Sequence, residues 1–232
     1  MELIAENISK QYFRKTKNSN YFDALKETSF TLSSGKLVEI EGRSGSGKST
    51  FLNIMAGILQ PTTGKIIFKD EKSGTEKNIY EMNDTELSQF RNKNFGIIPQ
   101  EQSGLNALSV IENVKLPALI YNPDSEEITQ RAKNLLKKMG IEELAEEKPC
   151  NLSGGEMRRM AIARALITNP AFIFADEPTS DLDDENTKTV LSLLQEIAQQ
   201  GTSVLLVTHE SDAARYANQV YKMNAGVLTT EN

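Results

Sequence analysis

The chain has 232 residues, with 26 Lys and Arg against 32 Asp and Glu, a net charge of −6, one Cys, one His and no Trp. That length can bury a sizeable core, and 38% hydrophobic with 25% charged residues excludes a disordered chain. The acidic balance argues against a general nucleic-acid binder, one Cys excludes an intrachain disulfide, and no apolar run approaches the roughly 18–20 residues of a membrane-spanning helix.

Met1-Glu2-Leu3-Ile4-Ala5-Glu6 has neither a basic start nor an apolar stretch, so no signal peptide is expected and the chain reads as a soluble intracellular protein. No repeat of about 20–50 residues is visible, which removes solenoids and propellers. Residues 1–35 carry short alternating strands without helices, and residues 64–69 resume the pattern; together they predict a small N-terminal antiparallel β subdomain packed on the main core. Between those strands Arg14, Lys15, Thr16 and Lys17 read as a solvated hairpin, since so short a basic run gives little affinity for lipid head groups.

Apolar strands are expected at 37–40, 95–98, 172–175, 204–207 and 220–223, and helices at 48–59, 125–138, 155–167 and 183–200. Buried strands separated by helices of this length imply an α/β fold, a mostly parallel sheet with helices on both faces. The polar segment 69–78 reads as an exposed hairpin. Residues 84–150, punctuated by Pro99, Pro117, Pro123 and Pro149, read as an inserted, mainly helical subdomain. No linker separates independent units, so one domain over 1–232 is expected, its core built from 1–83 and 151–232.

Gly42-Arg43-Ser44-Gly45-Ser46-Gly47-Lys48-Ser49 fits G-x-x-x-x-G-K-S/T and lies between an expected strand and an expected helix. Glycines there let backbone N–H groups form an anion nest, and the helix start adds the positive end of its dipole. Lys48 would supply a charge for the β- and γ-phosphates, Ser49 a hydroxyl for Mg²⁺, and Thr50 a contact to the α-phosphate. A Gly/Ser-rich turn is the bland reading. By chance, though, the pattern arises in roughly one chain in a hundred of this length, so a nucleotide site is the better one.

Asp176 and Glu177 follow the apolar run at 172–175, at what would be the carboxyl edge of the sheet. Alone they read equally well as an exposed turn or a helix cap. Beside the phosphate loop, Asp176 is placed to hold Mg²⁺ and Glu177 to orient or deprotonate an attacking water. Leu152-Ser153-Gly154-Gly155-Glu156 opens a patterned helix; Ser153 with Glu156 makes a capping box, and the two glycines suggest close approach of a ligand phosphate. His209 follows another strand and is placed for a γ-phosphate contact, while Gln100 after 95–98 is placed for Mg²⁺ or the water.

With these elements in this order, the chain resembles the nucleotide-binding subunit of an ATP-binding-cassette (ABC) transporter over essentially its whole length. The resemblance implies a P-loop NTPase core and assigns 42–49 to the Walker A loop, Gln100 to the Q-loop, 152–156 to the family signature, and Asp176 and Glu177 to the Walker B aspartate and catalytic glutamate. Ser180-Asp181-Leu182-Asp183 matches the D-loop, with Asp183 at the nucleotide; His209 matches the switch histidine, and Tyr12 the aromatic that stacks on adenine, with Phe13 as fallback. It implies ATP and Mg²⁺ as cofactors and a head-to-tail pair of cassettes, identical or closely related, in which one signature closes over the other's ATP. A separate transmembrane permease is implied as well, with the ATPase peripheral on the cytoplasmic face of the membrane and the segment after Gln100 as coupling surface.

A narrower similarity, at 100–117 and 152–159, is to the macrolide-exporter, lipoprotein-release and antimicrobial-peptide export group, which implies export or mechanotransmission. Several positions depart from the family pattern: Glu156 stands for the common Gln, Asp181 for a small residue, and Glu101-Gln102-Ser103-Gly104 lacks an aromatic. Cys150 reads as a small packing residue. A soluble ABC ATPase of cluster assembly, repair or translation is the alternative, but no coiled-coil arms, Cys clusters or tandem cassettes support it. A small-molecule P-loop kinase would leave 152–156, Asp176, Glu177 and His209 without a role.

Overall fold

The computed structural model describes residues 1–13, 21–101 and 104–230; the basic run at 14–17 and the pair Gln102 and Ser103 lie outside the described residues. β1 (Glu2–Phe13) and β2 (Tyr21–Ser33) pair antiparallel, β4 (Thr63–Asp70) pairs with the other edge of β1, and β5 (Thr75–Asn78) completes a four-stranded sheet ordered β2-β1-β4-β5. The expected polar hairpin at 69–78 is the turn from β4 into β5.

The larger sheet holds β3 (Leu37–Glu41), β6 (Phe95–Ile98), β7 (Phe172–Asp176), β8 (Ser203–Thr208), β9 (Gln219–Asn224) and β10 (Val227–Thr230), ordered β10-β9-β3-β8-β7-β6. All neighbours are parallel except β9 and β10, whose hairpin the apolar pattern did not predict. β10 is mostly exposed and carries two threonines, so its hydropathy signal is weak.

Six α-helices among the described residues complete the architecture: α1 (Lys48–Met55), α2 (Asp84–Asn94), α3 (Val110–Leu119), α4 (Glu126–Lys138), α5 (Gly154–Leu166) and α6 (Asp184–Gln199). α1 stops at Met55, short of the expected 59, because Gly57 takes the left-handed region at φ +67° and redirects the chain. Asn83 with Glu86, Ser109 with Glu112 and Ser153 with Glu156 form capping boxes at the starts of α2, α3 and α5. The stretch 84–150 carries α2, α3 and α4, and it also contains β6, which is an edge strand of the large sheet.

Alternation along the central strands builds two cores. Ile173, Ala175, Val204 and Leu206 face α3–α6, while Phe172, Phe174, Leu205 and Val207 face α1 and the antiparallel sheet. Every one of these side chains is fully buried, which is why the strands read as unbroken apolar runs. Because β3, β6, β7 and β8 run parallel, the loops leaving their carboxyl ends converge on one edge.

Candidate functional site

A cleft of about 1080 Å³ opens at that edge. Its floor is the loop from β3 into α1. Gly42, Arg43, Ser44, Gly45, Gly47, Lys48, Ser49 and Thr50 line it, joined by Gln100 after β6, Glu177 after β7 and His209 after β8. Tyr12, near the end of β1, lines its mouth. Residues spread over nearly two hundred positions meet here because four parallel strands end together.

The loop glycines do different work. Gly45, at φ +76°, has open space where a Cβ would stand, whereas a Cβ on Gly42 would strike the Met223 carbonyl and one on Gly47, at φ +109°, the Ala24 carbonyl. Gly42 and Gly47 therefore let the loop pack against β9 and β2. Ser46 differs from its neighbours: it is buried behind the loop, its carbonyl accepts from the Gly226 N–H at 2.9 Å, and it does not line the cleft. Gly47 is also the N-cap of α1, and no side chain caps that helix. The first-turn N–H groups are left for an anion, in a cleft wide enough for a nucleotide.

Lys48 is 5% exposed. Its Nζ donates to the Gly42 carbonyl at 2.7 Å and lies 3.3 Å from Glu177 Oε1. Glu177 is equally buried, and its Oε2 accepts from the His209 main-chain N–H at 3.2 Å and lies 2.8 Å from His209 Nδ1. Its backbone sits at φ +46°, a region unfavourable for a residue with a Cβ, and is anchored by its own N–H donating to the Val207 carbonyl at 2.9 Å. Strained backbone of this kind clusters at functional sites, which makes Glu177 a candidate.

Behind the loop, Ser49 Oγ donates to Asp176 Oδ1 at 3.0 Å. Burial pushes the Asp176 carboxyl above its ordinary range, and the Glu177 charge adds to this against the Ser49 hydrogen bond. A half-buried carboxylate beside a hydroxyl fits a hard cation, which favours oxygen donors and would relieve the burial cost. Mg²⁺ characteristically takes few protein ligands and completes its shell with phosphate and water. The donor set suits that mode.

Ser153, Gly154, Gly155, Glu156 and Asp183 do not line this cleft. They form a second cluster of their own. Ser153 N–H donates to Glu156 Oε2 at 2.7 Å and Ser153 Oγ to the same oxygen at 2.8 Å, which holds the Glu156 carboxyl below its usual range. Asp183 caps α6 by accepting from the Asn186 N–H at 2.8 Å. Asn186 Oδ1 in turn accepts from Arg159 on α5 at 3.1 Å, and its amide fills the space a Cβ on Gly155 would need. Gly155 thus has a packing reason that the sequence did not disclose.

Ser153→Ala is expected to cost about 1 kcal/mol, lowering Tm by roughly 2–4 °C. Because Glu156 is held below its unfolded value, its contribution is present above about pH 4.3 and is lost as pH falls through the folded value. Thermal melts at neutral and acidic pH should show the gap between wild type and variant narrowing on acidification.

Other site features carry little or no sequence signal. Phe22, the register partner of Tyr12, lines the cleft with it, and an aromatic opposite an aromatic across the first hairpin was the available signal. Lys222, Met223 and Asn224 arrive from β9 with no local signal at all. Phe13 instead packs edge-on against Tyr21, at 5.9 Å between ring centroids, and does not line the cleft. Cys150 is exposed rather than packed, its Sγ 3.7 Å from Asn151 Oδ1. Its neighbour Pro149, not the cysteine, is buried in that turn.

The family described as ABC transporter matches residues 25–180. Among solved structures, the ATP-binding cassette MJ0796, in a dimeric post-hydrolysis state bound to ADP and Pi, is 32% identical with a TM-score of 0.86 and 98% of each chain covered. The ADP conformation of the cassette MJ1267 is 29% identical with a TM-score of 0.80, over 99% of this chain and 90% of that one. The structure of cbiO1 from Clostridium perfringens, part of the ABC transporter complex cbiONQ, is 28% identical with a TM-score of 0.81, over 98% and 86%.

Proposed function

The chain belongs to the ABC transporter ATP-binding family, and from that premise we propose that it binds and hydrolyses ATP as one of a head-to-tail pair of cassettes driving a separate transmembrane permease. One observation carries the pairing: the motif residues fall into two groups, and Ser153–Glu156 with Asp183 stand off the cleft that holds the phosphate loop. A single chain therefore offers two halves of different sites, and a second copy would bring the start of α5 over the first copy's cleft. The dimeric state of the MJ0796 cassette supports the same arrangement.

In this reading the N–H groups of 43–50 and the start of α1 cradle the phosphates, and Lys48 turns from Glu177 toward the β- and γ-phosphates. Tyr12 stacks on the adenine, with Phe22 beside it. Ser49 and Asp176, with Gln100, would hold Mg²⁺, whose charge offsets that of the phosphates. Glu177 takes the proton of the attacking water, its Oε2 held by the His209 main chain and imidazole, and His209 faces the γ-phosphate. On the paired cassette, Gly154 and Gly155 add N–H donors and Ser153 turns its hydroxyl from Glu156 to the phosphate, while the Ser153 N–H keeps hold of the Glu156 carboxylate.

No helix among the described residues is long and apolar enough to cross a membrane. The chain acts as one domain on the inner face of the membrane, through the permease, with the segment after Gln100 as contact. Sequence similarity at 100–117 and 152–159 favours export of peptides, lipids or lipoproteins, or drugs, or transmission of force. A tagged chain recovered from native membranes is expected to bring a polytopic membrane protein with it and to release phosphate from ATP. ATPase activity recovered only in the soluble fraction, with no membrane partner, would replace the transport role with the soluble alternative.

A further inference from the structure

Arg158 lies on α5, two residues beyond the capping-box Glu156, and is 6% exposed. Its guanidinium donates from Nη1 to the Pro99 carbonyl at 2.7 Å and from Nη2 to the Gln100 carbonyl at 3.1 Å. These two carbonyls belong to the chain leaving β6, and the second is on the residue whose side chain lines the cleft. A planar, always-charged fork fixes two successive peptide groups in one orientation, which a flexible ammonium cannot do. Burial disfavours the charge on Arg158, and the carboxylate of Asp181 opposes that effect. Asp181 stands at φ +64° in the turn after Glu177. The start of α5 and the loop carrying Gln100 thus meet at one side chain, and Arg158 has no part in the chemistry set out above.

We propose that Arg158 is a positioning residue that ties the α5 start to the Gln100 backbone, so that closure of a second cassette on α5 sets where the Gln100 side chain stands in the cleft. This rests on the ATPase reading. If Arg158 acts through Gln100, the two residues form one unit and their effects on turnover do not add. An arginine that served folding alone would lower turnover and stability by the same increment whether or not Gln100 is present.

The test is a cycle of Arg158→Gln, Gln100→Ala and the double variant, each measured for kcat, KM for ATP and Tm. Arg158→Gln is expected to reduce kcat about tenfold with KM little changed, and to reduce kcat no further once Gln100 is Ala. Amide exchange at Gln100 and Glu101, measured without nucleotide, is expected to quicken in Arg158→Gln. Arg158→Lys runs the same cycle if the Gln variant does not fold, with a smaller loss. Additive losses in kcat, or unchanged exchange at 100–101, overturn the proposal. Absence of hydrolysis by the wild type would overturn the ATPase reading instead, leaving the exchange measurement to decide whether Arg158 holds this loop.

Discussion

Glu177→Gln is expected to lower steady-state phosphate release by roughly 10²–10⁴-fold while leaving ATP binding intact. The substitution keeps the size of the side chain and an oxygen able to accept from the His209 N–H, which Glu177 Oε2 does at 3.2 Å. What it removes is the proton acceptor and a buried negative charge 3.3 Å from the lysine that must reach the phosphates. Without that charge Lys48 is freer to turn to the nucleotide, so binding should tighten rather than weaken. Hydrolysis is what would separate paired cassettes, so the variant should accumulate as an ATP-dependent dimer in size-exclusion chromatography. Normal turnover would remove Glu177 from the role of base, and a monomer at saturating ATP would remove the pairing.

Lys48→Ala should have the second large effect, on two observables with separate causes. Loss of charge-assisted hydrogen bonds to phosphate, each worth roughly 1.5–3 kcal/mol, should weaken ATP binding by about 10²–10³-fold in a fluorescence titration. Stability should fall as well, because the buried Glu177 loses its cation while its carboxylate stays in place. Removing one partner of a buried pair costs about 3–5 kcal/mol, and the lower end is expected because His209 remains 2.8 Å from the other oxygen. Adding Glu177→Gln to Lys48→Ala should restore much of the urea stability and none of the ATP affinity. A double variant no more stable than Lys48→Ala would mean that the pair does not carry the loss.

The two effects trace to parts of the site that differ in how they could be read from sequence. Lys48 and Ser49 belong to a contiguous motif whose spacing is set by the backbone geometry of one loop and one helical turn. The bond between Ser153 and Glu156 is likewise local, three residues apart at a helix start, and its spacing alone identifies a capping box. The central strands β7 and β8 were equally legible, since side chains buried on both faces leave unbroken apolar runs. α1 is shorter than its apolar pattern, which continues past Gly57, and only the positive φ there decides that the helix ends.

Contacts between distant segments were not legible. Asn186 against Gly155, Met223 against Gly42 and Arg158 against the Gln100 carbonyl join residues far apart in the chain, and no pattern in either member announces the other. Phe22 was within reach, but its register opposite Tyr12 depends on shifts in the β1–β2 ladder. Cys150 is exposed against expectation because a small apolar side chain carries no signal for which side of a turn it occupies. By itself, then, the sequence determined the chemical inventory: a phosphate loop, an acidic strand end, a capped signature helix and a parallel core, all of them encoded by local spacing. Tertiary structure alone decided how the first two meet, with Lys48 Nζ 3.3 Å from Glu177 Oε1, and that Phe22 and residues 222–224 of β9 join them in the cleft. The order of strands in a sheet, which sets where the loop ends meet, depends on long-range pairing rather than on neighbours in the chain.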